Sequence, residues 1–235
     1  MIRTAHQSRV IGRFYLLLLL ALAGPAGADP CDQLPKPSVT VQRIEVPITY
    51  NTEYSFRALN TIAAELARPG RHVLGLTRGN AMVSFASNSP SITDARGRWE
   101  CASPQITLRY GFNPMTVYVA REFPRGTCAY REIHDHEMRH VETYQRHIVA
   151  LEKELTEALN ARFAADKVWR GPVGQAGRLI QQEFDTRWAP YVQQQIRRAD
   201  EAQAKIDTAA EYERVANACN GEIKKVLGGN ARGKS

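Results

Sequence analysis

Two histidines and a glutamate stand close together near the middle of the chain, in the order His136-Glu137-Met138-Arg139-His140. Side chains four residues apart on an α-helix lie on the same face, about 6 Å apart along the axis. That separation allows two imidazole nitrogens to bind one Zn²⁺, and the glutamate between them then lies beside the metal. The pattern predicts His136 and His140 as zinc ligands and Glu137 as the general base for a zinc-bound water.

The helix that must carry this motif has an apolar stripe with one gap. The stripe recurs at steps of three and four residues, apart from the interval between Ile133 and Tyr144. Its members are Ile133, Tyr144, Ile148, Leu151, Leu155 and Ala158. Glu137 and His140 fill the gap at the same steps, where apolar side chains are expected. Because polar groups that face a core are costly without partners, this position favours a bound metal over a solvated helix face. A polar cluster without a metal is the remaining alternative.

A second long helical pattern follows the first. Residues 130–168 contain no Pro or Gly and follow a helical period, and the stretch Arg170-Gly171-Pro172-Val173-Gly174 ends them. The next helical pattern runs from about residue 175 to 218, with Pro190 as a kink or a division. Because the connection is short, the two helices are predicted to pack antiparallel, as a helical hairpin over residues 129–220.

The hairpin predicts where a third ligand lies, since a catalytic zinc normally has three protein ligands and one water. With the turn centred near residue 172, the middle of the motif lies opposite about residue 206. Asp207 and Glu211 flank that position. One of them is predicted to be a zinc ligand and the other a partner of a ligating histidine. Glu201 and Glu213 are within the error of this estimate.

The part of the chain before Cys128 has the patterns of strands. Residues 39–50 are rich in β-branched side chains, with Pro47 as an edge or a break, and residues 54–68 have a helical pattern. Two hairpins are predicted, one turning at Arg78-Gly79-Asn80 and one at Gly111-Phe112-Asn113-Pro114. The predicted fold class is α+β: a small, mostly antiparallel sheet with one helix over residues 39–127, followed by the long antiparallel helical hairpin that carries H-E-x-x-H.

Residues 1–28 have the composition of a secretory signal peptide. A basic start is followed by an apolar run from Phe14 to Ala23 and by the small residues Ala26-Gly27-Ala28. The apolar run is too short to span a membrane comfortably, so no stable membrane anchor is expected. The prediction is a periplasmic or secreted protein whose mature chain starts near Asp29. Three arginines of this stretch account for part of the net charge of +7 and leave a mild +4 on the mature chain. Basic residues cluster only in the C-terminal tail, so nucleic-acid binding is not predicted.

The four cysteines are Cys31, Cys101, Cys128 and Cys219. An even number in an exported protein predicts two disulfides, for which three pairings exist. Cys101 and Cys128 flank the second predicted hairpin, which favours their pairing and leaves Cys31 to bind Cys219.

The order of these features resembles a bacterial family of predicted secreted zinc-dependent proteases, whose shared domain has no established function. The resemblance covers about residues 45–218 and depends on Gly75-Leu76-Thr77, on His136-Glu137 with His140, and on an Asp in the return helix. Only the H-E-x-x-H motif is specific. The resemblance implies a zinc-dependent peptidase. The chain departs from the family pattern at Arg139, where a small residue is usual, and after Asp207, where a His-Gly is usual.

Residues 29–235 are therefore predicted to form a single zincin-like metallopeptidase domain that hydrolyses a peptide or protein substrate. Zn²⁺ is the predicted cofactor, bound by His136, His140 and either Asp207 or Glu211. The alternative is a non-catalytic envelope binding or adaptor protein, with a structural metal or with no metal. The sequence does not specify an oligomeric state.

Overall fold

The structure is a computed structural model that describes residues 29–64, 72–165 and 167–232. Of these described residues, 48% are helical and 26% are in strands, which confirms the coarse fold class of mixed helix and sheet. The predicted signal peptide, residues 1–28, lies outside the described residues. Among the described residues, no helix is both long enough and apolar enough to cross a membrane.

The strands are β1 (Ser38–Ile44), β2 (Thr49–Asn51), β3 (Gly75–Asn88), β4 (Ser91–Thr93), β5 (Trp99–Ala102), β6 (Gln105–Val119) and β7 (Trp169–Pro172). The helices are α1 (Phe56–Ile62), α2 (Cys128–Phe163), α3 (Ala176–Glu183), α4 (Ala189–Arg197), α5 (Ala199–Gln203), α6 (Ala209–Asn217) and α7 (Glu222–Arg232). A π-helical turn, Phe184–Trp188, joins α3 to α4, and short 3-10 turns occupy Pro30–Gln33 and Cys219–Gly221.

The larger sheet is built around β6. β1 and β2 follow one another along one edge of β6, both parallel to it, and the chain between them contains Pro47. β3 runs antiparallel along the other edge. The smaller sheet is antiparallel, in the order β4-β5-β7. The predicted mostly antiparallel sheet is therefore two sheets, and the larger one is mixed.

The two predicted hairpins were wrong, because β3 and β6 each run straight through the expected turn. Between Gly79 and Ala81 the pairing shifts register, so the glycine lies in a β-bulge of a continuous strand. Gly111 stays paired with Met82, and a Cβ on it would lie 3.1 Å from the backbone oxygen of Ile44. A glycine inside a strand often marks a bulge or such a close approach of another backbone.

Helix α2 lies across the larger sheet and separates two apolar clusters. The first cluster includes Leu108, Val141 and Leu155, packed beneath α3 and α4. The second includes Ile133, with residues from α1, α6 and α7. The H-E-x-x-H segment lies where the two clusters meet, and Glu137 and His140 are buried there while Arg139 is exposed.

The continuous return helix predicted over residues 175–218 is a series of shorter helices. Pro190 is in the first turn of α4, directly after the π-helical turn. The chain leaves helical conformation after α5, and Thr208 then caps α6 by accepting a hydrogen bond from the Glu211 backbone N–H at 3.1 Å. Thr208-Ala209-Ala210-Glu211 has the spacing of a capping box, which is a sequence signal for this new helix start.

Two disulfides are present, which confirms their number and fits an extracytoplasmic protein. Their pairing differs from the one favoured by sequence: Cys31 binds Cys101, and Cys128 binds Cys219. The physical reason is the length of β6. Its 15 residues carry the chain about 50 Å away between Cys101 and Cys128, so these two cysteines are far apart.

Candidate metal centre

Three side-chain atoms converge between α2 and the turn that follows α5. Nε2 of His136 and Nε2 of His140 are 3.2 Å apart. Oδ1 of Asp207 lies 3.1 Å from the first nitrogen and 3.2 Å from the second. These residues form a group that could hold a metal ion. Tetrahedral ligands at about 2.0 Å from zinc are separated by about 3.3 Å, so the spacing of the three atoms matches a zinc site.

The charges around this group favour a cation. Burial acts to raise the pKa of Asp207, but hydrogen bonds from His136 and His140 outweigh it and hold that pKa well below its usual value. Burial acts to lower the pKa of His140, but the Asp207 and Glu137 carboxylates outweigh it and raise that pKa above its usual value. The protein therefore attracts positive charge to the His140 nitrogen. A divalent ion would take the place of the proton there.

Gln203 at the end of α5 holds His140 by two hydrogen bonds. Its Oε1 lies 2.5 Å from Nδ1 of His140, and its Nε2 donates to the His140 backbone oxygen at 3.1 Å. The amide oxygen can only accept, so Nδ1 must carry the hydrogen. Nε2, which faces Asp207, is then the nitrogen that a metal would bind in place of a proton.

Replacing Gln203 by Ala is expected to weaken zinc binding about 10- to 100-fold, because the His140 ring loses the partner that fixes its orientation and tautomer. Gln195 is a matched control, since it is equally buried, at 8% exposure, and lies on α4 away from the three converging atoms. Competition with a chromophoric chelator would measure both affinities. Equal affinities for the Gln203→Ala and Gln195→Ala proteins would contradict this role for Gln203.

Glu211 is the corresponding partner of His136. Its Oε1 lies 3.2 Å from Nδ1 of His136, and this oxygen accepts further hydrogen bonds from Arg139 and Arg214. Hydrogen bonding from Arg214, and then from Arg139, lowers the pKa of Glu211 to about 2 despite partial burial. With its hydrogen on Nδ1, donated to this carboxylate, His136 would present Nε2 to a metal. Arg139, which can only donate, also lies 2.9 Å from Nδ1 and favours the opposite tautomer, so metal binding requires Glu211 to be the partner of Nδ1.

Glu137 is enclosed between α2 and the start of β3. Only 4% of it is exposed, and burial raises its pKa, although the nearby histidines oppose that change. Thr77 lies within hydrogen-bond distance of the Glu137 side chain, at 2.9 Å from Oε2, and of its backbone oxygen, at 3.0 Å. A Cβ on Gly75 would lie only 2.6 Å from Oε1 of Glu137 and 2.8 Å from a methyl carbon of Ile133. The carboxylate is thus held in one place by β3.

Replacing Gly75 by Ala is expected to lower the free energy of unfolding by about 1–3 kcal/mol, because the added methyl group overlaps buried atoms on α2. Gly177 in α3 has open space around the position of a Cβ, so Gly177→Ala is the control. That change should be neutral or stabilising by up to about 1 kcal/mol, since Ala favours helix. Urea unfolding of both proteins would test this. Similar values would show that Glu137 is not packed against β3.

The structure brings together four of the predicted site residues directly, namely His136, His140, Asp207 and Glu211, with Glu137 beside them. Glu201 and Glu213 are exposed and are not members of the group. Sequence reasoning did not assign a role to Gln203, Thr77 or Gly75. The capping box at Thr208 was the available sequence signal that α6 begins directly after Asp207.

Comparisons with known proteins add no relative: no protein-family model, no curated protein and no solved structure matches this chain.

Proposed function

We propose that this protein is a zinc-dependent metallopeptidase that acts outside the cytoplasm. The observation that carries the proposal is the convergence of His136 Nε2, His140 Nε2 and Asp207 Oδ1 at the spacing of tetrahedral zinc ligands. Within the described part of the chain, the group has three members. Structural zinc sites usually have four protein ligands, whereas catalytic sites have three and keep one position for water.

The residues have separate tasks in this mechanism. His136, His140 and Asp207 would hold the ion, which supplies Lewis acidity and lowers the pKa of a coordinated water to about 7. Glu137 would accept a proton from that water and pass it to the amine that leaves when the peptide bond breaks. Thr77 and β3 hold the Glu137 carboxylate in a fixed position beside the three proposed ligands, as a general base requires.

The location of the activity follows from two features. The sequence predicts a signal peptide over residues 1–28, and the two disulfides fit an oxidising compartment. A peptide or protein outside the cytoplasm is therefore the proposed substrate.

The first test is the zinc content of the oxidised protein, measured by elemental mass spectrometry beside the His136→Ala variant. We expect about one zinc per wild-type chain and a loss of zinc in the variant, together with cleavage within a broad peptide library by the wild type only. Zinc without any cleavage would favour the alternative, a binding or adaptor protein with a structural metal. No zinc after reconstitution would overturn the proposal.

A further inference from the structure

The disulfide between Cys128 and Cys219 joins the two elements that carry the candidate metal centre, about two helical turns from His136, and we propose that its oxidation controls metal binding there. Reduction of this bond would detach one segment from α2, namely the segment that carries Asp207 and Glu211. The protein would then bind zinc poorly until the disulfide forms. This inference rests on the zinc site of the proposed function.

The disulfide joins the two elements that supply the site. Cys128 is the first residue of α2, which carries both histidines. Cys219 begins the 3-10 turn directly after α6. Asp207 immediately precedes the residue that caps α6, and Glu211 lies in its first turn. The covalent bond therefore fixes the distance between the start of α2 and the end of α6. Each proposed ligand lies within a few helical turns of one of the two cysteines.

The other contacts between α6 and its surroundings are limited. Of the nine residues of α6, only Val215 is buried. Arg214 reaches across to Glu132 on α2 at 2.8 Å, and Arg139 reaches from α2 to Glu211. Both arginines are about half exposed, and solvent weakens ion pairs with an exposed partner. These pairs act beside Val215, the Tyr212 ring and the polar side chains that meet at the site, and the disulfide adds a covalent link between this segment and α2.

The loop that this disulfide closes is long. The two cysteines are 91 residues apart in sequence, so the bond removes many conformations in which Asp207 lies away from the histidines. Without the bond, a metal ion would have to order that segment when it binds, and its apparent affinity would fall. A dithiol reductant carries out the reduction: the S–S bond breaks, two thiols form with two electrons and two protons from the dithiol, and the reductant becomes a disulfide.

The second disulfide provides an internal control. Cys31 is in the N-terminal 3-10 turn and Cys101 is in β5 of the smaller sheet, so this bond joins two elements that carry none of the proposed ligands. Its loss should leave the metal centre unchanged. The comparison between the two bonds separates an effect on the site from a general effect of removing a disulfide.

The consequence is a peptidase that is inactive before export. Cytosolic thiols are kept reduced, so the newly made chain would have an open site with low metal affinity. Oxidation outside the cytoplasm would close the site and allow zinc to bind. Proteolysis of cytosolic proteins would be avoided without a separate inhibitor.

The experiment measures zinc affinity by chelator competition for three oxidised proteins: wild type, Cys128→Ser/Cys219→Ser and Cys31→Ser/Cys101→Ser. We expect at least tenfold weaker binding for the first pair of substitutions and less than threefold change for the second. Serine avoids the free thiols that would themselves bind zinc. Equal affinity in all three proteins would overturn the inference and leave the proposed function intact, whereas a wild type that binds no zinc would overturn the proposed function.

Hydrogen exchange distinguishes local release from global unfolding. In the Cys128→Ser/Cys219→Ser protein we expect faster exchange of amides in residues 204–221, while amides of β3 and β6 keep their protection. Loss of protection throughout the protein would show that the bond stabilises the whole fold, and it would also overturn the inference.

Discussion

Replacing Glu137 by Gln is expected to reduce peptide hydrolysis by about 100- to 10,000-fold while leaving one zinc bound per chain. The amide has nearly the same shape as the carboxylate, and its oxygen can still accept the hydrogen bond from Thr77. It cannot accept a proton from water at neutral pH. The fold should therefore persist, and the loss should appear in kcat, measured with a substrate found in the peptide library.

Glu142→Gln is the control for this experiment, because Glu142 lies on the same helix and is exposed. That protein should keep wild-type activity and zinc content. Full activity in the Glu137→Gln protein would rule out Glu137 as the general base. Loss of zinc in the same protein would instead indicate that Glu137 is itself a ligand.

Replacing Asp207 by Ala is expected to weaken zinc binding by at least about 100-fold. Residues that only orient a ligand contribute up to that factor, and Asp207 contacts both histidine nitrogens directly. The variant also removes the negative charge that holds positive charge on His140. Zinc affinity by chelator competition, at neutral pH, is the measurement.

Glu201→Ala is the matched control for Asp207→Ala, because it removes an exposed carboxylate from the neighbouring helix α5. Its zinc affinity should equal that of the wild type. A similar affinity for both variants would show that Asp207 is not a ligand and that the three-atom convergence is a hydrogen-bonded cluster.

The helical spacing of the motif made part of the site predictable. Two histidines four residues apart share a helix face whatever the rest of the fold is. In the structure their Nε2 atoms are 3.2 Å apart. The estimate of an antiparallel return brought Asp207 and Glu211 to the same place, even though the return is broken into short helices. The estimate used only the antiparallel direction of the return and the number of residues from the turn. The breaks between the short helices therefore did not change its result.

The parts of the fold and of the site that were not predicted depend on contacts between distant segments, which local sequence patterns do not show. Gly79 and Gly111 were interpreted as turn residues, but both lie inside strands where a side chain would meet close neighbours. A Cβ on Gly79 would lie 2.8 Å from the Phe112 ring, and one on Gly111 would lie 3.1 Å from Ile44. Gln203 has no distinguishing sequence pattern, because its role is set by the fold around His140. The segment Gly75-Leu76-Thr77 was noted only for the family resemblance, and Thr77 meets Glu137 because β3 packs against α2.

His136 and Asp207 are 71 residues apart, and this order along the chain determines when the site can exist. Ribosomes add about 5–20 residues per second, so the histidines are synthesised roughly 4–14 s before the carboxylate. Throughout that interval the growing chain has two imidazoles and lacks the Asp207 charge that would draw in a divalent ion. If the proposed site binds a metal, its acquisition is then a late step of maturation, and the ion bound would reflect the metal supply where folding ended.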